Sequence, residues 1–85
     1  MNNTKKILIV DDEENIRRIF KKALEKRNYI VHTAPNAEDA IQKIKSHEYL
    51  LIFSDIFMDE MSGLTLIKEV KKINPQIEVV IMTAQ

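Results

Sequence analysis

Four polar residues in this sequence stand where chemistry could be done: Asp11, Asp12, Asp55 and Thr83. Each closely follows a run rich in apolar residues. Asp11 and Asp12 come directly after Ile7-Leu8-Ile9-Val10, Asp55 lies just beyond Leu50-Leu51-Ile52-Phe53, and Thr83 follows Ile77-Glu78-Val79-Val80-Ile81-Met82. Apolar runs of this length suit strands buried on both faces of a parallel sheet. In such sheets, ligands bind in the crevice beyond the carboxyl ends of the strands. If these strands are neighbours, three carboxylates and a hydroxyl converge there. Two unit charges about 4 Å apart repel by roughly 4 kcal/mol at an effective dielectric near 20. A carboxylate trio therefore raises a pKa or recruits a cation. With only oxygen ligands and no histidine or cysteine close in sequence, the natural ion is a hard one, Mg²⁺. Taken singly, Asp11 and Asp12 could be first-turn helix acids, Asp55 a turn-capping residue and Thr83 an ordinary strand residue. Their shared position at strand ends argues against coincidence.

The elements that would position these groups follow from the hydrophobic pattern. After the first strand, Ile16, Ile19, Phe20, Ala23 and Leu24 recur at helical spacing, which predicts a helix from about Glu14 to Asn28. Acids at its start and Lys26-Arg27 near its end suit the helix dipole. Tyr29 to Thr33 reads as a shorter, more polar edge strand. Asn36 is placed to cap a second helix with the apolar stripe Ala37, Ala40, Ile41 and Ile44. Leu66, Ile67, Val70 and Ile73 mark a third helix that Asn74-Pro75 ends. The resulting βαβαβαβ alternation predicts one α/β domain over residues 1–85, a doubly wound parallel sheet with right-handed crossovers.

Composition narrows the function further. Thirteen basic residues balance thirteen acidic ones, so no net field argues for nucleic acid or a membrane surface. There is no cysteine, hence no disulfide or thiolate metal site, and the single glycine, Gly63, excludes a Gly-rich phosphate loop. The amino terminus lacks the apolar length of a signal peptide or membrane span, so a cytoplasmic location is expected. His32 and His47 read as separate surface or edge histidines, Met58 and Met61 as packing residues. Lys68-Glu69 and Lys71-Lys72 read as a solvated helix face.

Three motifs carry a resemblance over almost the whole chain. Ile7-Leu8-Ile9-Val10-Asp11-Asp12-Glu13, Asp55-Ile56-Phe57-Met58 through Gly63, and Met82-Thr83-Ala84 are similar to the receiver domain of bacterial two-component response regulators. The resemblance implies a flavodoxin-like fold of five parallel strands ordered 2-1-3-4-5. It implies that Asp55 is the phosphoacceptor for a histidine kinase, and that Asp12, Asp55 and the Phe57 backbone carbonyl ligate Mg²⁺. Asp11 would act mainly through a metal-bound water, Thr83 would hydrogen-bond the phosphoryl group, and Ala84 would leave room for it. Such a domain is a phosphoacceptor rather than an enzyme, beyond self-phosphorylation and self-dephosphorylation.

The sequence also departs from that pattern. Asp59 stands where proline is usual and Ser62 where an acid is usual. The chain stops just after Thr83, so it reads as a receiver lacking its last α-β-α third, including a lysine that would pair with the phosphoryl group. Lys68, Lys71 and Lys72 belong to the third helix and supply no substitute. Some Mg²⁺ affinity is therefore expected to remain, with poor phosphorylation or a failure to switch. The fourth strand, apolar on both faces, is expected to drive self-association. The intact protein could carry an output domain, although nothing in this segment encodes DNA contact. The alternative function is a receiver-like interaction or dimerisation module that is not phosphorylated. A Mg²⁺-dependent aspartyl-phosphate phosphatase would need a second acid where Phe57 stands. A flavin module would need a phosphate loop where Asp11-Asp12-Glu13-Glu14 would repel the ligand.

Overall fold

A computed structural model describes residues 5–55 and 63–82, with Gly63 and Met82 described by their backbone alone. Strand β1 spans Lys6–Val10, α1 Glu14–Glu25, β2 Ile30–Ala34, α2 Ala37–Ser46, β3 Leu51–Asp55, α3 Gly63–Ile73 and β4 Glu78–Met82. The four strands form one parallel sheet in the order β2-β1-β3-β4. This matches the first four positions of the expected order and puts β2 at an edge.

Side-chain alternation divides the core between the two sheet faces. Leu8, Val10, Ala34 and Ile52 point to one face, where Ala37, Ala40 and Ile44 of α2 and Leu66 and Val70 of α3 cover them. Ile7, Ile9 and Val31 point to the other, against the partly buried Phe20 and Leu24 of α1. Ile7 through Val10 are 1% exposed or less, which explains why β1 reads as a continuous apolar run. The α1 layer is thinner: none of its residues is fully buried, and Ile19 of its apolar stripe is 59% exposed.

Local signals fix the helix ends. The Asn36 side chain accepts the Asp39 N–H at 2.8 Å, so Asn36 caps α2 as its sequence position predicts. Asn74 N–H closes α3 on the Val70 carbonyl, and its side chain then accepts the Gln76 N–H at 3.0 Å, turning the chain toward β4. Lys71 is more than part of a solvated face. Its ammonium donates to the carbonyls of Ile77 at 2.5 Å and Pro75 at 3.2 Å, fastening the α3–β4 turn.

Helix α1 ends at Glu25 rather than running to Asn28. Asn28 adopts φ 71°, the left-handed conformation that terminates helices, and the Tyr29 N–H reaches back to the Leu24 carbonyl. Asparagine tolerates this conformation better than other residues with a Cβ. Asn28→Gly is expected to change unfolding free energy by only a few tenths of a kcal/mol, whereas Asn28→Val should lower it by about 1–2 kcal/mol. Denaturant melts of the two variants check this.

Candidate functional site

The parallel register brings the strand ends level. Val10 pairs with both Ala34 and Ser54, and Asp55 pairs with Met82. The next residue after Val10, Asp11, extends the ladder by donating its N–H to the Ala34 carbonyl at 3.1 Å. Asp11 therefore stands beside Asp55, and Asp12 follows on the opening turn toward α1. One carboxylate oxygen from each of Asp11, Asp12 and Asp55 lies within 4.8 Å of the others. The three acids singled out by sequence thus come together. Thr83, Phe57, Ala84, Asp59 and Ser62 lie outside the described residues.

The three carboxylates differ in environment. Asp11 is 5% exposed and Asp55 9%, while Asp12 is exposed. Asp11 also shapes its own turn, since its Oδ1 accepts the Glu13 N–H at 2.8 Å. Its role as a helix-entry acid and its place in the cluster therefore coexist. Arg17, which the sequence reading passed over, donates from Nη1 to the Asp11 carbonyl at 2.7 Å and braces this turn from α1. Beneath the cluster, the fully buried Ser54 hydroxyl donates to the Asp55 carbonyl at 3.1 Å.

Burial pushes the Asp11 carboxyl above its ordinary value of 3.8, the Glu13 N–H opposes this, and the charges of Asp55, Asp12 and Glu13 add to the rise. A raised pKa means that the folded chain holds the Asp11 proton more tightly than the unfolded chain. The associated stability is present below 3.8 and is lost as pH rises through the raised value. Keeping the Asp11 carboxyl ionised is therefore a cost to the folded chain. Three close oxygen donors, with two carboxylates largely buried and no nitrogen or sulfur donor in the group, fit a hard divalent cation such as Mg²⁺.

Comparison with known proteins agrees with this architecture. The model of the response regulator receiver domain matches residues 7–85. The chain belongs to the receiver domain family. Receiver domains are signalling domains of two-component systems. This one is 39% identical over 80 residues to the chemotaxis protein CheY of Bacillus subtilis, covering 93% of this chain and 67% of CheY. It superposes with a TM-score of 0.90 on the response regulator TrrA of Thermotoga maritima in complex with Mg(2+)-BeF, at 39% identity, covering 96% of this chain and 71% of TrrA. A second structure holds TrrA in complex with the histidine kinase ThkA. There the TM-score is 0.88 at 40% identity, covering 95% of this chain and 70% of that one. The receiver domain described here thus spans about two thirds of the length of CheY. Among its described residues, no helix is long and apolar enough to cross a membrane.

The electrostatics of the acid trio give a direct test. Saturating Mg²⁺, at about 100 times its dissociation constant, should stabilise the wild-type domain by roughly 2–3 kcal/mol. Asp12→Asn should lose most of that increment while melting higher than wild type in EDTA, because one repulsive charge is gone. Thermal melts with and without Mg²⁺ measure both effects.

Proposed function

We propose that this domain receives a phosphoryl group from a histidine kinase on Asp55, in a reaction supported by Mg²⁺. The observation that carries the reading is the meeting of Asp11, Asp12 and Asp55 within 4.8 Å at the carboxyl ends of β1 and β3. The Mg(2+)-BeF complex and the kinase complex of TrrA support the cation and the partner. In this reading a carboxylate oxygen of Asp55 attacks the phosphorus of a kinase phosphohistidine. The N–P bond breaks, its electron pair returns to the imidazole, and an acyl phosphate remains on Asp55. Asp11, Asp12, Asp55 and the Phe57 carbonyl would hold Mg²⁺. Once bound, the ion neutralises charge on the transferring oxygens. The Asp11 turn, held by the Glu13 N–H and Arg17, keeps one acid in place. Thr83 would donate its hydroxyl to the phosphoryl group.

A second, compatible reading concerns assembly. Strand β4 lies at one edge of the described sheet and its Val80 is 40% exposed. Such a strand is a template for pairing with a second copy.

Intact mass after incubation with acetyl phosphate and Mg²⁺ tests the main reading. The expected result is a partial gain of one phosphoryl group that Asp55→Asn and EDTA both abolish. An unchanged mass would favour the interaction-module alternative. For the assembly reading, sedimentation velocity should show concentration-dependent association that Val80→Lys weakens at least about tenfold, the effect of roughly 1.4 kcal/mol. A monomer at all concentrations would refute it.

A further inference from the structure

The chain has two histidines, and the fold brings them together far from the acid cluster. His32, on β2, and His47, the residue that caps the end of α2, have ring centroids 4.9 Å apart in an edge-to-face arrangement. Tyr49, on the α2–β3 connection, is 4% exposed, and its hydroxyl meets His32 Nδ1 at 2.7 Å. The His32 and Tyr49 rings are 5.5 Å apart. Lys6 at the start of β1 approaches His47 Nδ1 at 3.4 Å, a long contact in which the lysine is the donor and the imidazole must accept. Two backbone bonds bracket the group: His47 N–H to the Lys43 carbonyl at 2.9 Å, and Leu50 N–H to the Lys6 carbonyl at 2.8 Å.

We infer that His32, His47 and Tyr49 form an acid-released clasp that fastens the α2–β3 connection to the edge of the sheet. The charged groups that act on His32 are cationic: His47 and Lys43 from the end of α2, Lys6 from β1 and Lys21 from α1. Glu48, the acid on the same connection, is exposed and has an interaction of its own. Protonating the His32 ring places a cation edge to face against the His47 ring and close to Lys6. The same cations disfavour a metal ion held by the two rings.

Burial and these cations hold His32 below the ordinary histidine value of 6.5. The folded chain therefore binds this proton more weakly than the unfolded chain. The clasp contributes fully above pH 6.5 and its contribution is lost as pH falls through the lowered value. Burial also pushes the Tyr49 phenol up to about 12, so tyrosine stays a neutral partner throughout this range. The clasp sits where the chain enters β3, the strand that ends in Asp55. Acid release thus loosens the entry to the strand that carries the proposed phosphoacceptor.

Amide hydrogen exchange by NMR on the 85-residue chain, between about pH 8 and about pH 5, tests the clasp. After correction for intrinsic rates, the amides of residues 47 and 50 should exchange about tenfold faster at the acid end, with amides of α3 changing far less. His32→Gln should remove most of that pH response. Tyr49→Phe should speed exchange of the same amides at both pH values. Equal exchange across the pH range in the wild type, or an undiminished response in His32→Gln, would overturn the inference.

Discussion

Three carboxylates within 4.8 Å of one another would drive a flexible chain apart, so their proximity has to be imposed by something stronger. Here it is imposed by the sheet. Ile7, Leu8, Ile9, Val10 and Ile52 are almost completely removed from water, and each such side chain contributes roughly 1.5–3 kcal/mol on burial. Slipping β1 by one residue would exchange Leu8 and Val10 with Ile7 and Ile9 between the two helix layers and spoil the packing of both. The register that protects the apolar core is the register that levels Asp11 with Asp55. Repulsion in the acid trio is therefore stored against hydrophobic burial and is available to a cation that relieves it.

That division of labour explains what could be read in the residues. Buried parallel strands leave long apolar runs, and acids close behind several such runs share the same end of the sheet. Asp11, Asp12 and Asp55 were legible for that reason, as was the β2 edge from its mixed polarity. Asn36 was legible as a cap because its bond to the Asp39 N–H is local. The missed features depend on where a long side chain reaches or on pairings distant in sequence. Periodicity puts Lys71 on the outer face of α3 but does not say that its ammonium folds back onto the Ile77 carbonyl. It places Arg17 on α1 but not against the Asp11 carbonyl.

The histidines show the same limit more sharply. His32 and His47 fall on separate elements, and nothing local connects them. Only the packing of α2 over β2 and β1 makes them neighbours. The end of α1 is an intermediate case. Asn28 is a helix-stop residue in a permissive position, yet the charged residues Glu25, Lys26 and Arg27 before it are all good helix formers. Tertiary geometry decides, because the chain must turn early enough for Ile30 to pair with Lys6.

The two faces of the sheet are unequal in thickness. Among the described residues, one carries α2 and α3 over a continuous buried cluster, while the other carries α1, held through the partly buried Phe20 and Leu24. None of the α1 residues is fully buried, so a local opening of this helix uncovers only partly buried side chains. Each opening withdraws Arg17 from the Asp11 carbonyl while β1 and β3 stay paired. The brace on the β1–α1 turn therefore depends on how firmly α1 is seated as well as on the pairing of the strands.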